Sequence, residues 1–128
     1  MVIATGRFFV GVPDFLKELP FLRYFILMNG AKVYDRESDT VLYRAEIPLE
    51  TAQSVYRLLE PLGCTVDCYQ NDRGIMPRKF LDRLDYYIPD PIVRMIIGPN
   101  RTAVDDLPAA MAQGGETVQT VSYTHLRA

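Results

Sequence analysis

The sequence predicts an α/β fold in which helices cover β-sheets, and three observations carry that expectation. Short apolar runs that read as strands alternate with segments whose apolar residues recur at helical spacing. The helical segments are punctuated by Pro at their starts, as at Pro13 and Pro77, and by Gly at their ends, as at Gly63. The period also changes at Pro48, which places a boundary between two subdomains there. The expected order is β-α-β-β-β-α-β-β-α-β-α-β, with no internal repeat and no low-complexity tract.

Taken in order, "VIAT" is an apolar strand that ends at Gly6, and "PDFLKEL" is a helix with Phe15, Leu16 and Leu19 on one face. Tyr24 to Met28 is a strand broken at Asn29-Gly30. "AKVYD" and "TVLYRAEI" alternate on either side of "RESD" and form a hairpin. "PLETAQSVYRLLEPLG" carries Leu49, Ala52, Val55, Leu58, Leu59 and Leu62 at helical spacing; Pro61 closes the helix near Leu59, and Gly63 is its C-cap. "CTVDCYQ" is a strand with Val66 and Cys68 on one face, and "RGIM" is its partner across the "ND" turn. A helix through Tyr86 or Tyr87, a strand at "PIVRMIIG", a helix over "AVDDLPAAMAQGG" stopped by Gly114-Gly115 and a strand at "ETVQTVSY" complete the series.

A chain of 128 residues with 48% hydrophobic and 23% charged content suits one soluble globular protein. Its 14 basic and 16 acidic residues are spread along the chain, so no basic face recommends nucleic acid and no polybasic cluster a membrane. No apolar run reaches the roughly 20 residues of a spanning helix, and the N-terminus lacks a signal-peptide pattern, so the cytoplasm is the expected compartment. Cys64 and Cys68 lack a second Cys/His pair and read as reduced structural thiols. Nothing here fixes an oligomeric state.

The chemistry concentrates at "TGR". Ligands of open α/β sheets sit outside the carboxyl ends of strands, where N–H groups point outward unpaired. Thr5 offers a hydroxyl there, Gly6 lets the backbone approach a ligand, and Arg7 offers a planar fork suited to phosphate. "YFILMNGAKVYD" repeats the arrangement: two parallel strands could end side by side and bring Asn29 to the edge that holds Thr5. An ordinary strand-to-helix turn, and a plain Asn-Gly turn leading into a hairpin, are the competing readings.

"VIATGR", a helix ending in "LKEL", "YFILMNGAKVYD" and a hairpin ending "VLYRAEIP" resemble the N-terminal region of Cof-type phosphatases of the haloacid dehalogenase (HAD) superfamily. The resemblance implies a partial Rossmann-like hydrolase core over residues 1–47 and an α/β cap of type C2 over 48–121. It further implies magnesium-dependent hydrolysis of small phosphate esters, such as sugar phosphates, through an aspartyl-phosphate intermediate. Thr5 and Gly6 match the motif whose hydroxyl and amide hold the transferring phosphoryl group, and Arg7, Asn29 and Gly30 match positions of the same pocket. Arg73, Arg78 and Lys79 lie near a cap turn of the kind that helps choose substrate in this family.

The departures from the family are as informative. Its Asp-x-Asp-Gly-Thr motif, which supplies nucleophile and general acid/base, should precede "TGR", where only Met1 precedes Val2. The catalytic Lys and the Gly-Asp-x-x-Asn-Asp magnesium motif should follow the cap. The expectation is therefore a chain truncated at both ends, without catalytic or metal-binding residues of its own and inactive as given. "VSYTHLRA" resembles translated sequencing adapter, so residues 122–128 are expected to be a non-native tail and His125 and Arg127 no part of a site; the competing reading is a genuine edge strand over Val121 to Tyr123. Asp82/Asp85 and Asp105/Asp106 read as solvated or capping carboxylates. Tyr86 and Tyr87 read as packing at a helix end. Two further classes stay open: a non-catalytic α/β binding or interaction domain, and a small enzyme of another class that uses "TGR" as a phosphate cradle.

Overall fold

Val2–Ala4 (β1) and Tyr24–Leu27 (β2) pair as parallel strands in the computed structural model of the chain, which describes residues 1–125. Contacts divide the chain into two compact units, Met1–Glu46 and the residues from Ile47 onward. In the first unit β3 (Lys32–Asp35) and β4 (Thr40–Arg44) form the expected hairpin and complete a sheet in the order β1-β2-β3-β4. The register slips between Val33↔Tyr43 and Tyr34↔Val41, so Leu42 is an extra residue that bulges the edge strand.

The helix read from "PDFLKEL" is one turn, α1 (Asp14–Lys17), and Phe15, read as sharing a face with Leu16 and Leu19, is 67% exposed. Pro13 precedes the turn as its N-cap. Pro20 lies just beyond it and bars continuation. The Arg36 guanidinium closes the turn by donating to the carbonyls of Lys17 and Leu19. Phe8, Val12, Leu22, Phe25, Leu27 and Met28 are the buried apolar residues of this unit. Arg23 grips Asp35 in a fork, Nε to Oδ1 at 3.0 Å and Nη2 to Oδ2 at 2.7 Å, and Asp35 also accepts from the Glu37 N–H, which fixes the hairpin turn.

The second unit opens with β5 (Ile47–Pro48) and α2 (Leu49–Leu59), whose last turn passes into a left-handed Gly63 at φ 69°. Its buried side is Ala52 and Tyr56; Leu58 and Leu62, at helical spacing with them, point to solvent. β6 (Cys64–Gln70) and β7 (Arg73–Pro77) turn at Asn71 and Asp72, at φ 53° and 57°. Those values suit a two-residue hairpin with Asn and Asp in the left-handed region. The segment read as one helix from Pro77 is two turns, α3 (Arg78–Leu81) and α4 (Leu84–Tyr87), with Pro77 closing β7.

Two segments differ in type from the expectation. Pro91–Ile97, expected as a strand, is helix α5. The Asp90 carboxylate accepts from the Ile92 N–H at 2.8 Å and Pro91 occupies the first turn, so the capping signal prevails over four β-branched residues. Arg101–Val104, whose last two residues were read as the start of a helix, is strand β8, parallel to β7. The helix begins later as α6 (Leu107–Gly114), where Asp106 caps the Ala109 N–H and Pro108 falls in the first turn, the place a helix tolerates it.

β9 (Thr117–Val118) pairs with β5, and β10 (Thr120–His125) pairs with β6 from Thr120↔Tyr69 to His125↔Cys64. The main sheet of this unit runs β10-β6-β7-β8. The C-terminal strand therefore extends past Tyr123, and residues 126–128 of the suspected tail lie outside the described residues. Val66, Cys68 and Ile75 form one continuous core with Ala52, Tyr56, Leu107, Met111, Phe80 and Leu84.

Candidate functional site

β1 and β2 run parallel, so their carboxyl ends fall at the same edge, and the chain locks them together there. The Thr5 N–H donates to the Ile26 carbonyl at 2.9 Å, the Asn29 N–H to the Thr5 carbonyl at 3.1 Å, and the Met28 N–H to the Arg7 carbonyl at 3.0 Å. To make the last two bonds, Met28, Asn29 and Gly30 all adopt left-handed backbone, at φ 50°, 56° and 97°. For a buried Met that conformation is costly, and Gly30 removes the cost at its own position.

All five residues singled out by sequence meet at this edge. The Arg7 N–H donates to Thr5 Oγ1 at 3.2 Å, which leaves the Thr5 hydroxyl proton free to point outward. Arg7 Nη1 donates to the Gly11 carbonyl at 3.0 Å, so its guanidinium is tethered to the turn at Phe9–Gly11. A Cβ on Gly6 would stand 2.9 Å from Asn29 Oδ1, which means the Asn29 carboxamide lies directly over the Gly6 backbone. A concavity of about 500 Å³ adjoins this edge, with Thr5 and Arg7 at its polar part and Val2, Ile3, Val12 and Leu16 along its apolar part. The arrangement offers a hydroxyl, a planar cation and backbone at close range, donors that can hold an oxyanion.

Elsewhere the tempting groups are committed. Asp105 pairs with Arg78 at 2.9 Å, Asp106 caps α6, and Glu60 pairs with Lys79 at 2.7 Å. Tyr87 packs edge-on against Phe80 and Tyr86, while Tyr86 itself is half exposed. Cys64 and Cys68 are free thiols inside the core, and burial pushes the Cys68 thiol up to about 12, leaving it protonated and unreactive at neutral pH. The sequence reading missed a buried ion pair: Arg101 Nε meets Asp67 Oδ2, Ser122 donates to the other Asp67 oxygen, and Arg101 Nη2 donates to the Tyr69 hydroxyl at 2.8 Å. Its members lie on three strands, so no local pattern announces it.

Among the described residues no three His, Cys, Asp or Glu side chains are grouped to hold a metal ion. The donor set for magnesium that the family resemblance implies is therefore not supplied by these residues. Among the same residues no helix is long and apolar enough to cross a membrane.

The sequence profile of the haloacid dehalogenase-like hydrolases matches residues 1–103. No curated protein matches. Among solved structures, a haloacid dehalogenase-like hydrolase from B. subtilis superposes with a TM-score of 0.64 at 17% identity, over 91% of this chain and 46% of that one. A phosphatase of the HAD superfamily from Bacteroides thetaiotaomicron gives 0.60 at 19% identity, over 91% and 39%. A sugar phosphatase of HAD subclass IIB gives 0.60 at 18% identity, over 91% and 42%. The chain thus spans less than half the length of these proteins while sharing their fold. With a family profile that matches 103 residues and a mixed α/β fold common to its solved members, the chain belongs to the haloacid dehalogenase-like hydrolases.

Proposed function

We propose that the chain is part of a cytoplasmic Cof-type phosphatase that hydrolyses small phosphate esters such as sugar phosphates, with residues 1–47 from its core, 48–121 from its cap and 122–128 a non-native tail. The observation that carries this reading is the interlock of Thr5, Gly6 and Arg7 with Asn29, which gathers hydroxyl, amide and guanidinium donors at one strand edge. In this role the Thr5 hydroxyl and Gly6 N–H receive the phosphoryl oxygens, Arg7 balances their charge, and Asn29 and Gly30 hold the edge in shape. A magnesium ion, in proteins of this family that carry its ligands, supplies further charge neutralisation. The 128 residues contain no Asp-x-Asp-Gly-Thr motif, so an attacking carboxylate in that setting is not among them.

The reading makes two separable demands. Inorganic phosphate titrated into isotopically labelled protein shifts the Gly6 and Asn29 amides, and Thr5→Val weakens that response; unresponsive amides would overturn the phosphate role. In a phosphate-release assay with sugar phosphates and magnesium, the 128-residue chain gives no turnover, and metal-dependent turnover would overturn its assignment as a non-catalysing part.

A further inference from the structure

The hairpin between β6 and β7 and the end of α6 enclose a second concavity of about 290 Å³, wholly within the unit that begins at Ile47. Exposed Arg73, Thr102 and Gln113 line it, together with the less exposed Ile75, Val104 and Ala110. No carboxylate is among its lining residues. The neighbouring Asp72 is turned to Gln119, whose Nε2 donates to Asp72 Oδ1 at 3.0 Å. The negative end of α6 is also answered: Gln70 Nε2 donates to the Met111 carbonyl at 2.8 Å and Asn71 Nδ2 to the Gly114 carbonyl at 2.8 Å.

Arg73 stands apart from the other arginines. Arg23, Arg44, Arg78 and Arg101 have carboxylate partners, Arg7, Arg36 and Arg94 donate to backbone carbonyls, and Arg83 lies over the Tyr86 ring at 4.7 Å from its centroid. Arg57 lines a different concavity, but with Glu60, Asp105 and Asp106 beside it. Among the described residues, Arg73 combines an uncommitted guanidinium with a concavity free of negative charge. The Thr102 hydroxyl and Gln113 carboxamide are likewise uncommitted there, so three donors share one small cavity.

We propose that this cavity binds a small molecule bearing an oxyanion, phosphate or carboxylate, received by the Arg73 fork with Thr102 and Gln113 as further donors and with a short stem against Ile75, Val104 and Ala110. Its volume suits a metabolite rather than a polymer, being near the lower bound of about 300 Å³ for ligand pockets. Charge-assisted, bidentate recognition is what a guanidinium contributes there.

The test is a titration of the full chain with inorganic phosphate at constant ionic strength, read by NMR at the Arg73 Nε–H and the Thr102 and Gln113 amides. Saturable shifts at these groups are expected. Arg73→Gln should weaken binding about tenfold, as the loss of one charge-assisted contact does, and Thr102→Val several-fold. Arg57→Gln should leave it unchanged. Linear, non-saturating shifts, or an equal response in Arg73→Gln, would overturn the proposal. Gly6 and Asn29 report the strand-edge site in the same spectra, so either site can fail without the other.

Discussion

The two units of the chain solve the same folding problem with unequal resources. Among the described residues the first unit buries six apolar side chains, whereas the second buries thirteen in one continuous cluster sealed by a buried ion pair. The first leaves one edge of β1 without a neighbouring strand and exposes Val2, Val10, Phe15 and Phe21. Yet the first holds three consecutive left-handed residues, Met28 to Gly30, and the converging donors of the proposed phosphate site. The contrast teaches where a fold concentrates constraint: hydrophobic burial stabilises one unit, and backbone hydrogen bonds hold a strained strand edge in the other.

The largest effect should come from breaking the buried pair. Arg101→Met removes the guanidinium partner of the buried Asp67 side chain and leaves it the Ser122 hydroxyl, and the unit from Ile47 onward should lose about 3–5 kcal/mol in chemical denaturation. Arg78→Met, which removes an exposed partner of Asp105, should cost no more than about 1 kcal/mol. Equal losses in the two variants would show that the buried pair does not secure this unit. Hydrogen exchange probes the contrast without mutation: the amides of β6 and β7 should be protected longer than those of β1 to β4, and the reverse order would contradict the division of stability argued above.

A smaller effect, confined to the first unit, is expected at the strand edge. Thr5→Val removes a hydroxyl donor and should weaken phosphate binding roughly tenfold, the cost of one hydrogen bond to a charged group. Gly6→Ala should displace the Asn29 carboxamide, because the new Cβ would stand 2.9 Å from Asn29 Oδ1, and the Asn29 side-chain amide resonances should move even without phosphate. An unmoved Asn29 in Gly6→Ala would mean that the two residues are not in contact.

How much of this was legible beforehand follows the same divide between local and distant causes. The approach of Asn29 to Gly6 could be read because its causes are local punctuation: Gly6, Asn29 and Gly30 mark the turns, and equivalent turns after parallel strands must fall at one edge. The hairpin at Asn71-Asp72 and the end of α2 at Gly63 were legible for the same reason. Helix α5 was misread because Ile92, Val93, Ile96 and Ile97 outweighed the Asp90-Pro91 start signal in a reading based on periodicity. The ion pair between Asp67 and Arg101 and the pairing of Arg78 with Asp105 join residues remote in sequence. No spacing rule distinguishes those arginines from Arg73; only the folded sheet does.

The last and smallest expected effect is an acid dependence that has the same sign in both units and separates them by size. The Arg23 guanidinium holds the Asp35 carboxyl well below the usual carboxylate range, with the Ser38 hydrogen bonds acting in the same direction. A depressed folded pKa means the contribution is fully present above the unfolded value, about 3.9 for Asp, and is lost as pH falls below that value through the folded one. The first unit should therefore lose this stability as pH falls below about 3.9, and Asp35→Asn should be less stable at pH 7 but lose less on acidification. Glu60 is lowered likewise, mainly by Lys79, but both partners are largely exposed and screened by salt, so Glu60→Gln should change the acid response of the second unit less. The measurement is denaturant midpoint against pH for the two variants, with tyrosine-resolved NMR signals to follow each unit. If Asp35→Asn retains the full acid dependence of the parent, the fork between Arg23 and Asp35 does not govern it.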